Sequence, residues 1–107
     1  AVEPLRTLAS GLNAQNPACS VISNKDGEVV TDGRDVLERI VNQIANPVRW
    51  DLCMSRLKSM GVTGVIELAP GGTLVGLLKR AEPELETLAL KSPDDLAAAR
   101  DFIVKHG

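Results

Sequence analysis

The chain has 107 residues and a formal net charge of -2, with Lys plus Arg at 12 against Asp plus Glu at 14. At 11.4 kDa it has room for one domain, and a hydrophobic share of 44% beside so small a net charge excludes a disordered chain. The sequence pI of 5.3 offers nucleic acid no basic footprint, and no apolar run approaches the roughly 20 residues of a membrane span. Glu3 and Arg6 interrupt any apolar stretch that would serve as a secretion signal. The two cysteines, Cys19 and Cys53, form no framework or metal motif, so they are read as reduced, buried, inert thiols of a cytoplasmic protein. One Trp, one Phe and no Tyr leave the core to Leu, Val, Ile and Ala. Such a core must be packed unusually completely or lean on something larger.

The first segment, from Pro4 to about Leu12, places Val2, Leu5, Leu8, Ala9 and Leu12 at helical spacing, and Gly11, Asn13, Asn16 and Pro17 stop it. The chain begins with Ala1 and enters this helix almost at once, which reads as an excised piece of a longer chain. Cys19 to Ser23 predicts a short strand, Asn24-Lys25-Asp26-Gly27 a turn, and Glu28-Val29-Val30 an extended return. Asp32 is the expected N-cap of a helix in which Val36, Leu37, Ile40, Val41, Ile44 and Ala45 make a broad buried stripe. Asn46-Pro47 is read as N-cap and first position of another helix, carrying Trp50, Cys53, Met54, Leu57 and Met60 and ending at Gly61.

Val62 to Ala69 predicts a strand buried on both faces, as in a helix-covered parallel sheet. Pro70-Gly71-Gly72 turns into a helix bearing Leu74, Leu77, Leu78 and Ala81, with Lys79 and Arg80 in its last turn. Glu86 to Leu90 is a third strand. Ser92-Pro93-Asp94-Asp95 opens a last helix on Leu96, Ala99, Phe102 and Ile103, and Lys105-His106-Gly107 is a polar tail. The alternation argues an α/β class, three-layered, with a short, mainly parallel sheet flanked by helices and no linker to divide residues 1–107 into two domains.

No serine sits in a Gly-x-Ser-x-Gly elbow, and the one histidine, His106, is read as a solvated tail residue, so no Ser/His/acid set can be assembled. Too few Cys and His are present for zinc. The Pro70-Gly71-Gly72 turn could cradle an anion on backbone N–H groups, although glycines there also serve a sharp strand-to-helix turn. Asp94 and Asp95 are first-turn helix acids. By composition and spacing alone, this is an α/β segment without a visible active site.

Asn42-Gln43-Ile44-Ala45-Asn46-Pro47-Val48-Arg49-Trp50 resembles a signature of malonyl-CoA:acyl carrier protein transacylases. So does the run from Val65-Ile66-Glu67-Leu68-Ala69-Pro70-Gly71-Gly72 to Lys79-Arg80. Val21-Ile22-Ser23-Asn24-Lys25-Asp26-Gly27 and Leu88-Ala89-Leu90-Lys91-Ser92-Pro93-Asp94-Asp95-Leu96 follow the same family pattern, in its order. The wording is most like enzymes of high-GC Gram-positive bacteria. The resemblance implies the C-terminal third of the family's chain, belonging to its hydrolase-like core. The family's Gly-His-Ser-x-Gly-Glu elbow, its malonyl-binding Arg, its catalytic His and its ferredoxin-like subdomain all lie upstream, and no residue here matches them. One residue carries over: Gln43 matches the family's Gln whose backbone carbonyl orients the catalytic His.

For the intact protein the resemblance implies transfer of malonyl from CoA, through a serine ester, to a carrier-protein phosphopantetheine thiol in fatty acid or polyketide synthesis. It implies no metal or redox cofactor. The chain alone is expected to be inactive and, with uncovered strand edges, to self-associate. A reading of another class is a non-enzymatic binding module that uses Pro70-Gly71-Gly72 for phosphate or pantetheine.

Overall fold

The computed structural model describes residues 2–107. They divide into two compact units, one reaching Arg56 and the other running from Leu57 to Gly107. The division falls inside a helix, Trp50–Ser59, which is why no change of composition marks it.

In the first unit, α1 (Val2–Ser10) lies against α2 (Gly33–Gln43), and β1 (Val21–Ile22) pairs antiparallel with β2 (Val29–Val30). The hairpin between these strands closes as its residues predict. Ser23 Oγ accepts from the Lys25 amide, Asp26 Oδ1 accepts from the Glu28 amide, and the Gly27 amide donates to the Ser23 carbonyl. Gly27 has φ 72, and a Cβ there would lie 2.6 Å from the Leu52 carbonyl oxygen, so both conformation and space require glycine. Asp32 caps α2 by accepting from the Asp35 amide at 3.0 Å.

Asn46-Pro47 does not open a helix. The Asn46 amide donates to the Gln43 carbonyl and its side chain to the Asn42 carbonyl, so Asn46 closes α2, and α3 (Trp50–Ser59) begins later. Asparagine satisfies backbone groups at either end of a helix, and here the carbonyls of α2 claim it. Gly61 ends α3 as predicted. With φ 76 it donates to the Lys58 carbonyl, while the Val62 amide reaches back to the Leu57 carbonyl.

In the second unit, β3 (Gly64–Glu67) pairs parallel with β4 (Glu86–Ala89), Gly64 opposite Glu86 and Glu67 opposite Ala89. Helix α4 (Thr73–Ala81) crosses between them, and a 3-10 turn, Pro93–Asp95, leads into α5 (Leu96–His106). Asp95 Oδ2 accepts from the amides of Lys91 and Ser92, fixing the start predicted there. The α/β class holds. The strands form two separate two-stranded ladders, one antiparallel and one parallel, where the sequence predicts one mainly parallel sheet.

The cores are narrower than the apolar spacing suggests. Of the broad stripe on α2 only Val41 is buried, while Ile40 and Ile44 are 58% and 55% exposed. On α4 the buried pair is Val75 and Leu78, and Leu74 and Leu77 face outward. Strand β3 is half-buried along its length rather than enclosed on both faces. Cys53 is buried and Cys19 exposed, so the reading of both thiols as buried fails for Cys19. Two small units have too little interior to cover every apolar face.

The mouth of α4 is closed from within. Glu67 Oε1 accepts from the amides of Gly72 at 3.1 Å and Val75 at 2.9 Å. The Val75 amide, with those of Gly72 and Leu74, holds the Glu67 carboxyl below its usual range. A group depressed in this way stabilises the fold above its unfolded pKa, and that contribution fades as pH falls through the lower folded value. Acid unfolding should therefore carry a Glu67 component in the carboxylate range. Urea titrations across that range should show it in the wild type and not in Glu67→Gln. Leu78 is fully buried. Leu78→Ala should lower unfolding free energy by about 2–5 kcal/mol in urea titration.

Candidate functional site

An apolar cleft of about 360 Å³ lies in the first unit, between the β1–β2 hairpin and α2. Val21, Ile22, Val30, Val36, Ile40 and Ile44 make it apolar, and Ser23, Asn24, Arg39 and Gln43 supply its polar atoms. The i, i+4 spacing of Val36, Ile40 and Ile44 turns one face of α2 to the cleft, and Val21 and its cross-strand partner Val30 share a face of the hairpin. Arg39 is anchored at the rim. Its Nη1 donates to both oxygens of Asp26 at 3.1 Å and its Nε to Asp35 at 3.2 Å. The bond from the Glu28 amide, together with the Arg39 guanidinium beside it, holds the Asp26 carboxyl below its usual value. Below the hairpin, the Cys53 thiol donates to the Ser23 carbonyl at 3.4 Å, and burial pushes it up, so it stays protonated and inert.

Gln43 is the last residue of α2 and borders this cleft. Its carbonyl accepts from the Asn46 amide at 3.2 Å, and its side-chain Nε2 donates to the carbonyls of Pro47 at 2.8 Å and Asn46 at 3.3 Å. These bonds fold residues 43–47 back on themselves and fix the direction of the Gln43 carbonyl. A carbonyl oxygen has two lone pairs, so it can take a second donor. It also sits at the negative end of the α2 dipole, which favours a donor carrying positive charge. The cleft lining contains no His, Cys, Asp or Glu. As it stands, then, it offers an aimed acceptor on an apolar wall and no proton-transfer group.

The other predicted sites lie apart from this cleft. At Pro70-Gly71-Gly72 the donors proposed for an anion are already spent: Gly71 donates to the Leu90 carbonyl, and Gly72 to Glu67. A carboxylate of the chain occupies the place of a bound phosphate, which removes the basis for a binding module built on that turn. Asp95 is a helix-start acid, as expected. His106 is not a solvated tail. Its Nδ1 lies 2.9 Å from Thr63 Oγ1, its Nε2 lies 3.2 Å from Glu86 Oε2, and its ring packs at a 42° tilt against Phe102 with centroids 4.5 Å apart. Helix α5 continues to this residue and binds its last turn to the starts of both parallel strands, contacts too distant in sequence to read from the tail's composition. Among the described residues no cluster of His, Cys, Asp or Glu could hold a metal ion. Among them, too, no helix is long and apolar enough to cross a membrane.

Sequence reasoning missed the part played by Asn46. The signal available was its spacing, three and four residues beyond Gln43 and Asn42 at the end of an apolar helical run. It also missed a polar recess on the far side of Gln43, lined by Lys25, Arg39 and Arg49, because these cations are scattered along the chain.

No family model matches the chain. It is 37% identical over 100 residues to the malonyl CoA-acyl carrier protein transacylase of Mycolicibacterium smegmatis, which covers 90% of this chain and 34% of that protein. The crystal structure of MCAT from Mycobacterium tuberculosis superposes with a TM-score of 0.84 at 35% identity, over 91% of this chain and 32% of that one. A malonyl-transacylase solved in complex with a type II PKS acyl-carrier protein gives a TM-score of 0.82 at 27% identity, over 94% and 32%. The chain therefore spans about a third of the length of the relatives it matches. In sequence and in fold, nine-tenths of this chain is homologous to about one third of the length of each of these malonyl CoA-acyl carrier protein transacylases.

Proposed function

We propose that this chain is the C-terminal third of a cytoplasmic malonyl-CoA:acyl carrier protein acyltransferase of fatty acid or polyketide synthesis. The observation that carries the reading is the combined likeness in sequence and fold to proteins of that name, extending over nine-tenths of the chain. In this reading the Gln43 carbonyl accepts a hydrogen bond from the catalytic His contributed by the rest of the protein. That bond fixes the imidazole tautomer, leaving the other ring nitrogen free to take the serine proton. The serine oxygen attacks the thioester carbonyl carbon, the C–S bond breaks, and CoA leaves as the thiol with the proton held by the His. The carrier-protein thiol then gives its proton to the His and attacks the serine ester, the C–O bond breaks, and the His passes that proton to the serine oxygen. The closed turn at residues 43–47 supports this role, because it holds an acceptor at the negative end of α2 beside an apolar wall.

Without the serine and the His, the 107-residue chain carries out neither half of the transfer. Its uncovered apolar side chains, Ile40 and Ile44 among them, make it self-associate when isolated. Intact mass after incubation with malonyl-CoA tests the assignment. The isolated chain should gain no malonyl group, and a longer protein containing the upstream two thirds should gain one on a serine. An adduct on the isolated chain, or none on the longer protein, would refute the assignment.

Gln43→Ala keeps the backbone acceptor and loses only the bonds of Nε2. It should therefore slow malonyl transfer in the longer protein by less than about tenfold. A loss on the order of a thousandfold would assign the role to the side chain instead.

A further inference from the structure

In an α-helix the carbonyl of residue i accepts from the amide of residue i+4. For Gln43, the last residue of α2, that amide would belong to residue 47, which is Pro and has no N–H. Among the described residues the Gln43 carbonyl takes only the Asn46 backbone amide, at 3.2 Å, and keeps a lone pair open. The carbonyl before it is in the opposite state. Asn42 accepts from the Ala45 amide at 3.4 Å and from the Asn46 side chain at 2.6 Å, so both of its lone pairs are used. A residue before proline is also steered out of helical backbone, so the chain leaves α2 here instead of closing over Gln43.

The main-chain bonds that end α2 join residues three apart and are long. Ile44 donates to Val41 at 3.4 Å, Ala45 to Asn42 at 3.4 Å and Asn46 to Gln43 at 3.2 Å. The bond from Asn46 Nδ2 to the Asn42 carbonyl, at 2.6 Å, is shorter than all three. Residue 46 also accepts from Gln43 Nε2 at 3.3 Å. The last turn of α2 thus leans on one side chain, and that side chain acts on the peptide next to the open acceptor.

We propose that Asn46 is a positioning residue of the acyl transfer. It holds the Gln43 carbonyl, which Pro47 leaves open, in the direction that receives the N–H of the catalytic His. The inference rests on the transacylase reading, which supplies that His. The Asn46 backbone amide survives substitution, but the Nδ2 bond does not. Without it the turn keeps its long main-chain bonds and the Gln43 side-chain bonds, and the carbonyl loses its fixed aim.

This role has a signature beyond stability. A carbonyl in line with an imidazole N–H favours the protonated ring. A ring that loses this acceptor gives up its proton more readily. The acid limb of the rate then moves to lower pH, while the rate itself falls because the ring is no longer held in its reactive tautomer. The charged groups around Gln43 are Lys25 from the hairpin turn, Arg39 from α2 and Arg49 from ahead of α3. Asp26 and Asp35 pair with Arg39, and Asp51 with Arg49. Neutral substitutions at residue 46 leave all six in place, so their field is common to wild type and variants.

The test uses the longer protein that carries this sequence, as wild type, Asn46→Ala, Asn46→Ser and Leu78→Ala. Asn46 is exposed, so its truncation opens no cavity. A serine hydroxyl reaches a carbonyl four residues back and returns the donor. Leu78, buried in the other unit, reports what a loss of stability does by itself. Thermal unfolding is recorded for each protein, and kcat and KM for malonyl-CoA are measured from about pH 5 to 8. Asn46→Ala should lower kcat about tenfold or more and leave KM within about twofold. The acid limb of kcat/KM should move down by about half a pH unit or more, with Asn46→Ser between Asn46→Ala and wild type. Leu78→Ala should unfold at a lower temperature and leave the acid limb in place. Wild-type kcat and acid limb in Asn46→Ala overturn the proposal while the function stands. A fall in kcat with an unmoved acid limb also overturns it, since Asn46 is then structural only. If the wild type transfers no malonyl group, the functional reading fails and the positioning role fails with it.

Discussion

Helix ends need partners, and in this chain that need governs much of the structure. Its helices run only nine to eleven residues and its strands two to four, so a large share of the backbone lies within a turn of some terminus. Five of these ends are satisfied by a group close at hand. Asp32 serves the start of α2, Asn46 its finish, Gly61 the finish of α3, Glu67 the start of α4, and Asp95 the turn before α5. The two features with chemical interest follow from this. The Gln43 carbonyl is aimed because its helix is closed by Asn46, and the glycine turn before α4 is unavailable to ligands because Glu67 already occupies it.

The parts of the fold legible in the sequence are those decided by local chemistry. The Asn24–Gly27 turn, the Asp32 cap, the Gly61 stop and the start at Ser92–Asp95 depend on residues within a few positions of one another. Burial did not read as well. Ile40, Ile44, Leu74 and Leu77 have the spacing of buried faces, yet burial depends on what lies opposite, and within this chain nothing of sufficient extent does. Asn46 was ambiguous because its side chain suits both ends of a helix. His106 was misread because Thr63 and Glu86, which hold it, are 43 and 20 positions away. Nothing in the residue type or spacing of Gln43 marks it; only the family resemblance singled it out.

The uncovered apolar side chains and the incomplete cleft agree with the coverage of the relatives. The cleft offers an acceptor and no base, and the chain matches about a third of the length of its relatives.

The closed turn after α2 also bears on how the sequence can vary over time. An acceptor that belongs to the main chain cannot be removed by changing the codon at residue 43, since every amino acid brings its own carbonyl. Its direction, however, depends on the amide of residue 46 and on the route of the chain through Pro47. Inherited change at position 43 therefore reaches this acceptor only through its direction, by way of the Nε2 bonds to Asn46 and Pro47, and change at residues 46 and 47 acts in the same way.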